Sequence, residues 1–206
     1  MYLVLAAATY LLLVSPTLSL MCTQKEEVNI LNECVKILKD EMVLSENMAD
    51  YCKAYQDWVQ CMERPDNLWC DSSPLKGLRY FVSERVEFDK KTGVCHDTDA
   101  SLLEAASLEL KRPETDLKSV TFESAEEARC VKSLNERCVN KMRAYMREHT
   151  TGDCGAINEY FRCFLNNSIN CNSSKPLQKY KNMLLEIGKE VKMSFETSSI
   201  LKNLCP

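Results

Sequence analysis

The 206-residue chain has few of the residues that build turns, with 5 Gly and 6 Pro. So low a content excludes a turn-rich knottin or a β-sandwich, whose loops depend on these residues. Leu, Glu, Lys, Met and Ala, which are common in helices, dominate instead. We therefore predict an all-α protein. The formal net charge of −4 shows no excess of basic residues, so nucleic acid is not expected as a partner.

Long apolar runs are also scarce, apart from one at the N-terminus. Residues 2–14 are uncharged and almost wholly apolar, and Pro16 interrupts the run before Ser19. The run is shorter than the roughly 20 residues that cross a bilayer. It predicts a secretory signal peptide at residues 1–19, although its first residues include no Lys or Arg. No GPI-type tail precedes Pro206, so we expect a secreted, extracellular protein without stable membrane insertion.

Cysteine is abundant, and all twelve cysteines follow the predicted cleavage site. An even number of cysteines in an oxidising compartment favours disulfides over metal thiolates. We predict that all of them form disulfides: Cys22, Cys34, Cys52, Cys61, Cys70, Cys95, Cys130, Cys138, Cys154, Cys163, Cys171 and Cys205. The pairing is left open at this point. No metal and no cofactor are expected.

The cysteines form two sets of six with the same order of spacings. Cys52 and Cys61 enclose eight residues, as do Cys154 and Cys163. The residues around these cysteines also correspond: Tyr55, Trp58, Val59 and Met62 in the first set match Ile157, Tyr160, Phe161 and Phe164 in the second. Such agreement indicates an internal duplication.

The duplication, with apolar residues at helical spacing, predicts two tandem disulfide-stapled three-helix domains. Domain 1 covers residues 20–95 and domain 2 covers residues 130–206. The charged residues 96–129 contain no cysteine, so we expect a linker with one short helix there. This linker should keep the cores of the two domains apart.

The positions of the helical cysteines restrict their partners. Two cysteines nine residues apart on a helix are separated by about 900°, which places them on opposite sides. Cys52 and Cys61 should therefore each bond to a different neighbouring segment. Helix starts are also marked, because Thr23 with Glu26 has the spacing of a capping box. Ser124 with Glu127 has the same spacing.

The sequence gives no positive evidence of catalysis, and we expect no enzyme. His96 and His149 are the only histidines, and neither lies in a known catalytic spacing. Two acidic groups, Glu126-Glu127 and Glu84, Glu87 and Asp89, lie close to Lys or Arg and lack the glycine-centred loop of an EF-hand. We predict that these acidic residues form solvated faces.

The aromatic residues beside the cysteines allow two interpretations. Tyr55, Trp58, Tyr160 and Phe161 have helical spacing, which favours an ordinary core. A ligand pocket is the alternative. Two N-glycosylation sequons are present, at Asn166 and Asn172, and they predict that the turn around Cys171 is exposed.

One stretch of the chain resembles a known family. Cys154, Cys163 and Cys171 are separated by eight and seven residues, and an amphipathic stretch at residues 177–191 and a late Cys205 follow. This pattern resembles secreted arthropod proteins of the haemolymph glycoprotein family, and nematode secreted domains look similar. The resemblance implies an extracellular helical protein without a defined catalytic site and carries over no functional residues. Odorant-binding and saposin-like proteins have Cys-x-x-x-Cys or Cys-x-x-Cys pairs that this chain lacks.

We therefore expect a non-enzymatic interaction protein of extracellular fluid or matrix, with an extracellular protein as its partner. The first alternative is a venom or salivary effector that acts on a receptor or channel. The second alternative is a carrier of small apolar ligands.

Overall fold

The structure is a computed structural model that describes residues 22–148, 153–166, 171 and 173–197. The predicted signal peptide lies outside these residues. All regular secondary structure in the described ranges is helical, which confirms the prediction of an all-α protein. No helix in these ranges is both long and apolar enough to cross a membrane.

Three long helices follow one another in each cysteine set. The first half, residues 22–95, contains α1 (Gln24–Leu44), α2 (Met48–Met62), the one-turn α3 (Pro65–Leu68) and α4 (Ser73–Thr92). A connecting segment then carries α5 (Ser101–Ala106) and a 3₁₀ turn at Leu108–Leu110. The second half, residues 125–197, contains α6 (Ala125–Glu148), α7 (Asp153–Asn166) and α8 (Lys175–Thr197).

Side-chain caps begin the helices where the sequence predicts them. Glu26 N donates to Thr23 Oγ1, and Thr23 N donates to the Glu26 carboxylate, so the predicted capping box at α1 is confirmed. At α6, Glu127 N donates to Ser124 Oγ at 3.0 Å. The Glu127 carboxylate accepts from Glu123 N rather than from Ser124 N, so only one side of the predicted box forms there.

Among the described residues, five disulfides cross-link the helices, and each lies within one half. They are Cys22–Cys70, Cys34–Cys61, Cys52–Cys95, Cys130–Cys171 and Cys138–Cys163. In both halves the first cysteine pairs with the fifth and the second with the fourth. Cys205 lies outside the described residues, as does the side chain of Cys154. The prediction that Cys52 and Cys61 reach different segments is confirmed, because one bonds beyond the end of α4 and the other bonds to α1.

The two halves share one continuous core, so the expectation of cores kept apart by a linker is wrong. Leu103 and Leu117 of the connecting segment are fully buried and belong to this core. Helix α4 packs on α8, where the rings of Phe88 and Tyr180 stack with their centroids 3.9 Å apart. The physical reason is that α4 has buried residues around most of its circumference. Both the connecting segment and the second half pack against α4 and shield these residues from solvent.

Candidate interaction surface

Two acidic residues that were predicted on a solvated face are buried. Glu84 is 3% exposed and Asp89 is 1% exposed, so this prediction is wrong for both. Glu87 is partly buried and Glu126 is exposed. Both buried carboxylates belong to α4, which lies in the centre of the fold and has neighbours on several sides.

Asp89 belongs to a buried polar network that joins the two halves. Arg85 lies beside it on α4, and Arg85 Nη2 is 2.8 Å from Asp89 Oδ1. Tyr51 Oη donates to Asp89 Oδ2 at 3.0 Å. From the second half, Asn135 Nδ2 donates to Asp89 Oδ1 at 2.7 Å. Arg85 Nη1 in turn donates to Tyr180 Oη at 3.3 Å, so helices of both halves meet at one ion pair.

The charges of this network are compensated inside the core. Burial raises the pKa of Asp89, and Arg85 opposes that rise. Burial alone would lower the pKa of Arg85, but Asp89 and the neighbouring phenols raise it above its ordinary value. The guanidinium also lies 4.7 Å from the ring centroid of Tyr160, a cation–π contact. Because Arg85 and Asp89 are shielded from solvent, this network stabilises the fold rather than reaching a substrate.

A second polar contact joins the halves at the end of α1. Arg143 Nε donates to Ser45 Oγ at 2.8 Å, and Arg143 Nη2 donates to Ser45 O. Arg147 also donates to Ser45 O. These bonds supply donors to the carbonyl that follows the last turn of α1, a position that would otherwise need water.

The aromatic residues predicted as core are mostly buried. Tyr55, Trp58 and Tyr160 are each less than 5% exposed, which confirms that interpretation for these three. Phe161 is partly buried and packs against the core. Two described cavities, of about 80 and 480 Å³, are lined by other residues and by no aromatic side chain.

Trp69 is the most unusual surface residue of the first half, with 76% of its side chain exposed. Tryptophan is largely buried in most folds. It lies in the turn between α3 and α4, directly before Cys70, which is bonded to Cys22. So exposed an indole offers a large apolar contact area that nothing in the described chain covers.

The turn that carries Trp69 is held from beneath by a buried arginine. Arg79 is 1% exposed, and its Nη2 donates to the carbonyl oxygens of Asn67 and Cys70, both at 2.7 Å. These two carbonyls lie on either side of Trp69 in the chain. Asn67 Nδ2 further donates to Cys61 O at 2.6 Å. The indole is therefore presented on a turn fixed by hydrogen bonds and a disulfide.

Two more exposed apolar residues lie on the connecting segment, next to residues that bond to the first half. Leu108 is 61% exposed, and its neighbour Glu109 accepts from Lys76 Nζ at 2.7 Å. The same amine lies 3.0 Å from Asp71 Oδ2, two residues after Trp69. This bridge brings the Trp69 turn and the connecting segment together.

Leu102 is 53% exposed and lies near the end of α2. Its backbone N–H donates to Glu63 Oε1 at 3.2 Å, and Glu63 directly follows the last residue of α2. We refer to Trp69, Leu102 and Leu108 together as the apolar edge.

The turn of the second half that corresponds to Trp69 is different. Asn170 precedes Cys171 in the sequence, where Trp69 precedes Cys70. Of the predicted glycosylation sites, Asn166 is the last residue of α7 and is exposed, whereas Asn172 lies outside the described residues. The first half therefore carries an apolar residue directly before its fifth cysteine, whereas the second half has predicted glycan sites around the corresponding position.

His96 takes part neither in the apolar edge nor in the buried polar network. His96 is exposed and lies beside Gly93, where a Cβ would be 3.3 Å from the imidazole Cε1. Gly93 ends α4 with a φ of 71°, in the left-handed region, which favours glycine. His149 lies outside the described residues.

The sequence contained a usable signal for Trp69 but not for Arg85. Trp69 does not fit the apolar helical pattern and lies in a turn beside a cysteine. This position indicates an aromatic residue that is not part of the core. Arg85 lies one helical turn before Asp89 in a charged stretch, and this spacing is equally typical of an exposed ion pair.

Comparison with known proteins found no match for this chain. No family model matches the chain, and neither does any curated protein or solved structure. The resemblance to haemolymph glycoproteins stays a prediction that rests on cysteine spacing and hydrophobic pattern.

Proposed function

We propose that the chain is a secreted, non-enzymatic interaction protein that binds an extracellular protein partner through the apolar edge. The observation that carries this proposal is the 76% exposure of Trp69 on a fixed turn. Tryptophan is enriched among the residues that dominate binding energy at protein interfaces. A side chain held in place before binding also loses less conformational freedom when a partner arrives.

Secretion is supported by the cross-links and by the leader-like N-terminus. Five disulfides in a chain of this size are typical of proteins outside the cytosol. The cysteine pattern shared with haemolymph glycoproteins supports a role in body fluid or matrix. A venom or salivary effector would use the same edge on a receptor or channel of another animal, and expression restricted to a gland would identify it.

Site-specific photo-crosslinking tests the edge as a binding surface. Trp69 is replaced by a photoreactive phenylalanine in the full oxidised protein, which is then added to the fluid into which it is secreted. Leu44 is the matched control, because it is also 76% exposed. It is the last residue of α1 and precedes α2, whereas Trp69 follows α2, a helix of 15 residues that is about 22 Å long.

We expect one protein to be captured from position 69 and not from position 44. Unlabelled protein should compete for this capture, whereas the Trp69→Ala variant should compete poorly. Equal capture from both positions, or equal competition by Trp69→Ala, would contradict the proposal. Because Trp69 is exposed, Trp69→Ala should change the free energy of unfolding by less than about 0.5 kcal/mol, so lost competition cannot come from unfolding.

A further inference from the structure

Glu84 has a buried carboxylate oxygen without a hydrogen-bond partner. The residue is 3% exposed, and its Oε2 has no partner among the described residues. Its Oε1 lies 3.7 Å from Lys111 Nζ. A buried polar atom left unpaired costs about 1–3 kcal/mol, and nearly all such atoms in proteins have a donor nearby. A donor supplied from outside the chain would satisfy this oxygen.

A half-enclosed cavity of about 80 Å³ lies against Glu84, between α4 and the segment that carries α5. Ser83 and Glu87 line it from α4, and Asp99 and Glu104 line it from the other side. A cavity of this size holds several water molecules or a group of a few heavy atoms. It is much smaller than the pockets that enclose drug-sized ligands.

The charges around the cavity favour a cation. Four carboxylates line it against two amines: Glu84, Glu87, Asp99 and Glu104 against Lys90 and Lys118. A third amine, Lys111, lies 3.7 Å from Glu84 Oε1 and is shared with Glu104 and Asp116, so an excess of negative charge remains. Lys118 is already bonded to Glu104, with Nζ 2.5 Å from Oε2. Among the described residues no acidic, histidine or cysteine side chains are grouped closely enough to hold a metal ion. An organic cation fits this balance better than a metal does.

We propose that this cavity binds the ammonium group of a small primary amine, with Glu84 Oε2 as its main acceptor. Ser83 and Glu87 lie one turn apart on the same face of α4. Ser83 Oγ donates to Tyr80 O at 2.9 Å, which leaves the lone pairs of the hydroxyl oxygen free to accept. Glu84, Glu87 and Ser83 thus offer three acceptors, and a primary ammonium has three donors.

Binding should be coupled to proton release. Burial raises the pKa of Glu84 to about 7; Lys111 and a backbone hydrogen bond from Leu117 to the carboxylate oppose that rise, while Asp116 and Glu104 add to it. Glu84 is therefore partly protonated at neutral pH. A cation beside the carboxylate favours the ionised form, so the amine expels the remaining proton.

Calorimetry and NMR on the full oxidised chain test the site with methylammonium chloride as the probe. Titration at pH 7 in two buffers of different ionisation enthalpy measures the protons released. Amide spectra locate the binding. We expect saturable shifts centred on residues 83–87, release of a fraction of a proton, and binding weakened about tenfold or more in Glu84→Gln, the loss of one hydrogen bond to a charged group.

Three controls make the result decisive. Tetramethylammonium has no N–H donor and should not bind, and Glu46→Gln, an exposed acidic residue at the end of α1, should bind as the wild type does. Glu87→Gln, on a partly exposed residue, should weaken binding even if Glu84→Gln folds poorly. The absence of saturable shifts at residues 83–87, equal binding of tetramethylammonium, or full affinity in both cavity variants would each overturn the proposal. None of these outcomes bears on the apolar edge.

Discussion

Arg85 Nη1 lies 3.0 Å from Asn135 Oδ1, and this hydrogen bond joins α4 of the first half to α6 of the second. It belongs to a network in which every charged atom has a partner from a different helix. The two halves are therefore joined through one buried network, and we expect them to unfold as one cooperative unit.

Removing Arg85 should destabilise both halves together. The Arg85→Met change leaves the Asp89 carboxylate buried without its cation, which costs about 3–5 kcal/mol. Chemical denaturation should show one transition at lower denaturant, and hydrogen exchange should accelerate in both halves. Arg129→Met, on the exposed side of α6, is the matched control and should change little.

The double variant Arg85→Met/Asp89→Leu should recover part of the lost stability, because no buried charge remains unpaired. Accelerated exchange confined to the first half would show that the cores are energetically separate.

The repeated cross-links predict a sixth disulfide between Cys154 and Cys205. In the first half the third cysteine pairs with the sixth, as Cys52–Cys95, and the two other pairings of that half recur in the second. Cys154 and Cys205 are the third and sixth cysteines of the second set. Mass spectrometry of peptides from the unreduced protein should find them linked, with no free thiol; a thiol at either position would contradict this prediction.

Stability should fall as the pH rises through neutrality, because of Glu84. Its pKa is raised from 4.5 to about 7 by burial, so the folded state holds this proton more firmly than the unfolded state does. The contribution of this bound proton to the free energy of unfolding is complete below pH 4.5 and is lost as the pH rises through 7. At about 1.4 kcal/mol per pKa unit, the loss is on the order of 3 kcal/mol at most.

Denaturation series from pH 5 to 8 measure this effect. Glu84→Gln cannot ionise, so its free energy of unfolding should vary less over this range than that of the wild type. Glu46→Gln should keep the wild-type slope. An unchanged slope in Glu84→Gln would show that another group causes the pH dependence.

Loosening the turn beneath Trp69 should weaken partner binding without unfolding the protein. In Arg79→Lys a single ammonium replaces the planar guanidinium that now donates to the carbonyls of Asn67 and Cys70. We expect faster hydrogen exchange at residues 67–70 and weaker competition in the crosslinking assay. Lys141→Met removes a cation from the exposed side of α6 and is the control, since it leaves these two carbonyl bonds and the apolar edge intact.

Slow exchange at residues 67–70 together with full competition would show that the turn needs no support from Arg79. Loss of the overall helical signal would instead assign Arg79 to the stability of the whole first half.

The helices and the directions of their disulfides could be predicted, because both depend on residue spacings within a short stretch of sequence. Thr23 with Glu26 marks a helix start through a spacing of three residues, and Cys52 with Cys61 defines opposite sides of a helix through a spacing of nine. The contact between the halves depends on tertiary structure. Whether Glu84 and Asp89 face solvent or core is decided by Asn135 and Leu117, which lie 33 or more residues away in the sequence.

The apolar edge was missed for a related reason. The position of Trp69 in a turn outside the apolar helical pattern is a sequence signal for exposure, but the sequence does not show which other residues lie beside it. The bonds from Arg79 that fix the turn of Trp69 also depend on tertiary structure, because they form only when α3 and α4 are placed together.

The order of the cysteines along the chain has a consequence for biosynthesis. All three disulfides of the first half close between Cys22 and Cys95, so every thiol they need has been synthesised before Cys130. N-terminal segments generally fold first during synthesis. The disulfides of the first half can therefore form before Asn135 and Tyr180 have been synthesised. At that stage Arg85 and Asp89 lack the hydrogen bonds that these two residues later make with them. The first half would then have all of its covalent cross-links before the residues of the second half that hydrogen-bond to its central ion pair have been synthesised.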